Sequence, residues 1–212
     1  MCYDAKSSLS GFLAISFISG LLWFRNQEFD RVLALFGLAL AVIQLIEFMI
    51  HKGMLDDGDA ARWLFIILWI QCFVLVIGAS ALNLNAATLV LSGLVTVTVL
   101  GGIFYALFSS EKWSSSKGKS GHLEWRRKEG GLLGNIGLFY LFFLIAGLLI
   151  LQIPYQFKNI ALWILLGYGL LSLAYVKWKF SNLAFSSMWC YLAVGFVFLA
   201  WFLGMFRGSC VT

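Results

Sequence analysis

The sequence predicts an all-α fold, a polytopic integral membrane bundle of seven transmembrane helices. Of its 212 residues, 61% are hydrophobic and only 12% are charged, with a single proline. Soluble domains have roughly 25% charged residues. Seven apolar segments run through the chain, and each is about long enough to cross a ~30 Å hydrocarbon core at 1.5 Å per residue. The predicted helices cover residues 8–24, 32–50, 63–82, 86–108, 131–151, 160–177 and 182–206.

Polar connections separate these helices in order. The charged segment 25–31 follows the first helix, and segment 51–62 follows the second and supplies an aspartate N-cap for the third. A tight turn at 83–86 precedes the fourth helix. Segment 109–130 is a cytoplasmic loop whose amphipathic second half we expect against the bilayer surface or beneath the bundle. A turn around Pro154 precedes the sixth helix, so residues 1–212 form a single transmembrane domain.

The distribution of basic residues predicts the orientation. Of the fifteen lysines and arginines, only Arg25, Arg31, Lys158 and Arg207 fall on the side opposite the amino terminus. Basic residues favour the cytoplasmic side of membrane proteins. We therefore expect a cytoplasmic amino terminus and a carboxyl terminus that is outside or lumenal.

The net charge of +5 indicates which partners to expect. Basic residues next to membrane spans attract anionic lipid head groups, and the lipid bilayer is the partner that the sequence predicts directly. No recognition helix for nucleic acid is present. A homo-oligomer or a larger membrane assembly is compatible with the sequence. The glycines of the spans, among them Gly93, Gly101, Gly102 and Gly167, predict places where helices approach closely.

Polar residues inside the second predicted helix indicate a site. Gln44, Glu47 and His51 share one helical face because they are three and four residues apart. An ionisable side chain within the bilayer costs roughly 2.5–3.5 kcal/mol on insertion scales, so it marks a functional site by default. The alternative to a site is that the Glu47 side chain reaches the membrane–water interface or pairs with Lys52.

The seventh predicted helix carries a second polar group at a similar depth. Ser187 and Cys190 share a face, with Trp189 between them. A cysteine becomes a ligand or a nucleophile when a neighbouring cationic group or metal ion stabilises its thiolate. Alternating the spans places this cysteine near the same membrane face as Glu47. We therefore assign Gln44, Glu47, His51, Ser187 and Trp189 to a polar cluster at the cytoplasmic mouth.

Two further candidate ligands fall on that membrane face. They are Cys2, at the start of the chain, and His122, just before the fifth helix. Two thiolates and an imidazole suit zinc or copper(I). The predicted metal ligands are Cys2, His122 and Cys190, with Glu47 as a fourth ligand or as a partner of one. The cytoplasmic assignment favours thiols over a disulfide between Cys2 and Cys190, and the sequence leaves that choice open.

Short motifs give the chain a resemblance. They are Met1-Cys2-Tyr3 with Ser8, Gln44-x-x-Glu47, Gly121-His122-Leu123-x-Trp125 and Ser187-x-Trp189-Cys190. In this order they are similar to those of a family of small, multi-spanning membrane proteins of unknown function from bacteria and from large DNA viruses of algae and protists. The resemblance implies a seven-span topology and importance for Cys2, Gln44, Glu47, His122, Trp189 and Cys190. It implies no activity, and Asp4 departs from the serine usual there.

Several better-known classes do not fit. A retinal protein needs a lysine in its last helix, and 182–206 has none. The glycine-rich start of the fifth helix lacks the lysine of a nucleotide-binding phosphate loop. Intramembrane zinc hydrolases related to alkaline ceramidases use three histidines, whereas this chain has two, so only a variant with cysteine in place of a histidine could be built. We therefore expect no retinal and no nucleotide.

Alternatives to a metal site remain at this stage. Gln44, Glu47 and His51 could line a proton or ion pathway continued by Gln71 and by Thr96 or Thr98. The chain could instead be a structural or assembly component, for example of a virion, in which polar residues set helix register. Whether the chain is an enzyme is undecided, because a Cys190 nucleophile with His122 as base is chemically sufficient but nothing in the sequence sets their distance.

Overall fold

The computed structural model describes the backbone of residues 4–27, 29–109, 113–117, 123–127, 132–152, 159–179 and 185–205. It describes the side chains of residues 4–27, 29–109, 142–152, 159–172, 174–175 and 193–204.

Seven helices account for most of the described chain, close to the predicted boundaries. The helices are α1 (Ala5–Arg25), α2 (Asp30–His51), α3 (Asp57–Leu82), α4 (Ala86–Phe108), α5 (Leu132–Gln152), α6 (Ile160–Lys179) and α7 (Phe185–Met205). Four of them, α1 to α4, are long and apolar enough to cross a membrane. This confirms the prediction of a helical membrane protein. In α5, α6 and α7 the apolar segments found among the described residues are shorter, Phe142–Gln152, Ile160–Ser172 and Ala193–Gly204.

Residue caps explain where several helices begin. Asp56, as expected from the sequence, caps α3, and its carboxylate accepts a hydrogen bond from the Gly58 backbone N–H at 2.9 Å. Asn85 and Thr88 form a reciprocal capping box at the start of α4. Each cap satisfies a backbone donor that the first helical turn leaves without a partner.

A β-hairpin connects α4 to α5, and the all-α prediction did not include it. Strands β1 (Trp113–Lys117) and β2 (Leu123–Arg127) pair antiparallel, with Ser115 opposite Trp125. β1 lies against α3 and β2 against α7. The serine- and lysine-rich sequence of β1 has little strand propensity of its own. An isolated two-stranded hairpin is marginal at best, so the neighbouring helices are its physical support.

The helices α1 and α2 form a closely packed antiparallel pair. The buried face of α1 is lined by small or aliphatic residues at helical spacing: Ser8, Gly11, Ile15, Ser19 and Leu22. A Cβ at Gly37 of α2 would clash with the Ser19 hydroxyl and would lie 3.2 Å from a Val197 methyl of α7. Small residues therefore bring α1, α2 and α7 to close contact at this level, as in other membrane bundles.

The helix α3 organises the other half of the bundle, because α2, α4 and α5 all pack on it. A Cβ at Gly147 of α5 would lie 2.6 Å from Leu75, and one at Gly102 of α4 would lie 2.7 Å from the Trp69 indole nitrogen. By contrast, Gly93 and Gly167 have no atom within 4 Å of that position. Of the glycines predicted to mark close helix contacts, Gly102 therefore lies at one, whereas Gly93 and Gly167 do not.

At the end of the bundle where α1 ends and α2 begins, a buried ion pair joins three helices. Arg25 donates two hydrogen bonds to the Asp30 carboxylate, at 2.6 and 2.7 Å, and a third to the Trp201 backbone carbonyl of α7. The Asp30 side chain is 4% exposed. We call Arg25, Asp30 and the Trp201 carbonyl the arginine latch.

Candidate functional site

The polar face of α2 lies inside the bundle, near the end where α1 begins. Gln44 and Glu47 are both 0% exposed, and His51, the last residue of α2, is half-buried. Each of the three interacts with another group of the protein. Burial of an amide and a carboxyl group on one helical face agrees with an inward polar face for Gln44 and Glu47, and Glu47 does not reach the solvent.

The opposing surface of α1 is made of small residues. A Cβ at Gly11 would lie 2.9 Å from Gln44 Oε1, so this glycine makes room for the amide. Ser8 lies three residues before Gly11, and Glu47 lies three residues after Gln44. Because α1 and α2 are antiparallel, equal steps along each helix end at the same level. Ser8, which is 0% exposed, therefore lies at the level of Glu47.

Asp4 forms the edge of this region where α1 begins. Its carboxylate accepts a hydrogen bond from the Ser7 backbone N–H at 2.8 Å and completes a capping box with the Ser7 hydroxyl. Hydrogen bonding to Ser7 lowers the pKa of Asp4, and the charge of His51 lowers it further. Because α1 and α2 pack antiparallel, the cap of α1 and the end of α2 lie at the same end of the pair.

The backbone of α7 runs past the same region. Gly37 of α2 approaches Val197, and the Phe36 and Phe196 rings meet edge-on with centroids 5.9 Å apart. Cys190 lies seven residues before Val197, and Gln44 lies seven residues after Gly37. Both distances are about two turns on antiparallel helices, so they return to the same face at the same level.

Equal steps also place position 187 of α7 at the level of Glu47. The side chains of Ser187, Trp189 and Cys190 lie outside the described residues, although their backbone belongs to α7. Cys2 and His122 lie outside the described residues altogether. Strand β2 begins at Leu123, directly after His122, and it lies against α7.

The residues of the alternative ion pathway are placed differently. The Gln71 amide is buried and donates to the Ala39 carbonyl of α2 at 3.3 Å, which joins two helices. Thr96 and Thr98 donate to carbonyls four residues earlier in α4, at 2.8 and 2.7 Å. Their hydroxyls are therefore satisfied within α4, a helix that packs mainly on α3. The Gln71 contact joins α3 to α2, whereas both threonine contacts lie within α4.

Among the side chains that the structure describes, no three His, Cys, Asp or Glu residues come together as a metal cage. Three of the four predicted ligands fall outside that set. Cys72, which is described, is a buried free cysteine in the middle of α3 and belongs to the apolar core.

Sequence reasoning missed three neighbours of the polar face. Ser8 and Gly11 belong to α1 and Asp4 is its N-cap, and all three lie toward the end of α2. Their spacing of four and three residues is a helical stripe, and the capping pair of Asp4 and Ser7 marks where the helix begins. The sequence therefore shows the stripe, but it does not show that this stripe packs against α2.

Comparison with known proteins found no matching family model, no similar curated protein and no similar solved structure.

Proposed function

We propose that the chain is a seven-span membrane protein that binds a transition-metal ion, zinc or copper, in a polar cluster at the cytoplasmic mouth of its bundle. The ligands are Cys2, His122 and Cys190, and Glu47 is a fourth ligand or holds one of them in place. Gln44, His51, Ser187 and Trp189 surround the cluster. The amino terminus is cytoplasmic, and the carboxyl terminus is outside or lumenal.

The complete burial of Glu47 carries this proposal. A carboxyl group that is 0% exposed inside a membrane helix is costly unless it has an electrostatic or coordinating role. The neighbouring Gln44 and His51 add an amide and an imidazole on the same helix, and Gly11 makes room for the Gln44 amide. Stability alone does not require such a group.

The positions of the other elements support the same proposal. Equal steps from Gly37 and Val197 bring position 190 of α7 to the level of Gln44. Strand β2, which begins directly after His122, contacts α7. Cys2 is two residues before Asp4, the N-cap of α1, and α1 packs antiparallel on α2, which ends at His51.

Thiolate and imidazole ligands are soft or borderline donors, and they favour zinc or copper(I) over magnesium or calcium. The protein's own contribution is to keep the ligands deprotonated and to exclude water from them. A buried carboxylate beside the ligands compensates part of the positive charge of the ion. If Glu47 accepts a hydrogen bond from a ligating imidazole, it also orients that ring.

The polar residues also favour a closed cluster over a path through the bundle. Beyond Gln44, the residues of α2 at one- and two-turn spacing are Leu40 and Gly37, which are apolar and tightly packed. Gln71, Thr96 and Thr98 are engaged in contacts within and between helices. Among the residues of α2, the polar face therefore stops at Gln44.

Elemental analysis of the detergent-purified protein tests the proposal. We expect about one zinc or copper per chain, lost in Cys2→Ala, His122→Ala and Cys190→Ala. The matched control is Cys72→Ala, which removes a buried thiol from the core of α3 and should keep the metal. A wild-type protein recovered without chelator and free of metal would overturn the proposal, as would a metal content that all three variants retain.

A further inference from the structure

Two arginines lie where α1 ends and α2 begins, and the structure uses them differently. Arg25 belongs to the arginine latch, in which the Asp30 carboxylate balances its charge. Arg31, one residue after Asp30, is exposed and has no carboxylate partner among the described residues. Its guanidinium carbon lies 5.4 Å from the centre of the Trp23 ring, a cation–π contact. The ring therefore holds an exposed positive charge in a defined place.

This pair lies where the hydrocarbon core of a membrane meets the head groups. Trp23 is two residues before the end of α1, Arg31 is the second residue of α2, and both helices are long and apolar enough to cross a membrane. Trp23 is 42% exposed and the next residue, Phe24, is 86% exposed. Tryptophan is enriched at this depth, and a guanidinium there can bind the phosphate group of a lipid.

An open apolar strip runs from this pair toward the middle of the membrane. In α1 the strip contains Gly20, one turn before Trp23, and a Cβ at Gly20 would meet no atom within 4 Å. In α2 it contains Leu35 and Leu38, one and two turns after Arg31, which are 44% and 41% exposed. Because α1 and α2 are antiparallel, these residues follow one side of the helix pair. The strip therefore offers apolar surface to an acyl chain below a cation.

We infer that the junction of α1 and α2 binds a phospholipid, with its phosphate on Arg31 and one acyl chain along the apolar strip. A guanidinium donates two parallel hydrogen bonds to phosphate oxygens, and its planar shape stacks on an aromatic ring. Because Trp23 holds the guanidinium before the lipid arrives, less side-chain freedom is lost on binding. The inference rests on α1 and α2 as membrane spans and does not depend on metal binding.

Native mass spectrometry of the detergent-purified protein tests this inference. The probe is phosphatidylglycerol, and the comparison is diacylglycerol with the same acyl chains, which lacks the phosphate. We expect the first phosphatidylglycerol to bind more tightly than those that follow it, and more tightly than diacylglycerol. Arg31→Gln should lower the affinity for this first lipid about fivefold, the effect of one basic residue at a membrane surface.

Two further variants separate the site from its net charge. Arg62→Gln removes the same charge next to another exposed tryptophan, Trp63, near the start of α3 at the opposite end of the bundle. It should leave the affinity for the first lipid unchanged. Gly20→Leu keeps every charge and has space for its side chain, but it fills the strip and should lower the affinity. All three variants should keep their metal content.

Equal loss in Arg31→Gln and Arg62→Gln would overturn the inference, because it would show attraction by net charge alone. Full affinity in Gly20→Leu would overturn it as well, since the acyl chain would then lie elsewhere. Equal binding of diacylglycerol would show that the phosphate is not recognised and would also overturn it. The proposed metal site fails by a different measurement, the metal content of the wild type, so the two results are distinguishable.

Discussion

At one end of the α1–α2 pair, Arg25 and Asp30 are joined by two hydrogen bonds of 2.6 and 2.7 Å. At the other end, Gln44 and Glu47 are buried opposite Ser8 and Gly11. Both ends bury polar groups, but the chemistry differs. In the arginine latch the partners complement one another, because the guanidinium donates to both the carboxylate and the backbone carbonyl. The α2 polar face instead gathers acceptors and titratable groups that can serve a bound ion. The first arrangement serves stability, and in the proposed function the second serves binding.

Removal of the Asp30 carboxylate from the arginine latch should have the largest effect on the stability of the protein. Asp30→Ala leaves the Arg25 guanidinium buried without its partner, which typically lowers the free energy of unfolding by about 3–5 kcal/mol. Titration with dodecyl sulfate in mixed micelles measures the change. The double variant Arg25→Met/Asp30→Leu should lose less than Asp30→Ala, because no charge remains buried. A single variant as stable as the wild type would show that the latch contributes nothing.

Neutralising the carboxyl group at the other end should affect binding more than stability. We expect Glu47→Gln to lower metal affinity about 10–100-fold, as is usual when a partner of a metal ligand is changed. Its unfolding free energy should match or exceed that of the wild type. Competition with a chelator measures the affinity. Gln71→Leu is the control, since it removes a buried amide that joins α3 to α2 and should keep metal affinity. Unchanged metal affinity in Glu47→Gln would remove Glu47 from the site.

A smaller effect should come from overpacking beside the latch. A Cβ at Gly204 would overlap the Arg25 guanidinium, so Gly204→Ala must displace the arginine or α7. We expect a loss of about 1–3 kcal/mol in unfolding free energy. Gly93→Ala is the matched substitution, because Gly93 has open space around it and alanine favours helix. That control should be as stable as the wild type or more stable, and an equal loss in both would contradict the packing argument.

The smallest effect should be a pH-dependent one at the start of α1. The pKa of Asp4 is lowered by hydrogen bonding to Ser7, so its cap stabilises the folded state when the carboxyl group is ionised. That contribution is present above its ordinary pKa of 3.8 and is lost as the pH falls through the lower folded value. Asp4→Asn keeps a capping acceptor but should lose this pH dependence. Thermal unfolding followed from neutral pH down to acid measures it, and identical curves would contradict the assignment.

The sequence was most informative about the helices themselves. Their hydropathy and length predicted the helix ends to within three residues, except that α3 begins at Asp57, six residues before the predicted start. The three- and four-residue spacing predicted the common face of Gln44 and Glu47. These features depend on local geometry, which sequence carries directly. The hairpin was missed because β1 is mostly serine and lysine, and its pairing depends on neighbouring helices.

The arginine latch shows what sequence could not show. Asp30 lies in a charged segment between two helices, which suggests exposure, yet it is 3% exposed and paired. Its burial depends on the approach of α7, whose Trp201 carbonyl accepts from the same arginine. The partner is 176 residues away along the chain, so only tertiary structure reveals it. In the same way, Gly11 acquires its role only from the Gln44 side chain opposite.

The short separation of Arg25 and Asp30 has a consequence for biosynthesis. They are only five residues apart, at the tip of a helical hairpin, so they can pair before α7 has been made. In the proposed orientation this tip must be translocated across the membrane, and moving the two charges as a neutral pair lowers the barrier that each alone would meet. The hydrogen bond from Arg25 to the Trp201 carbonyl would then form last, when α7 docks on a correctly inserted α1–α2 pair.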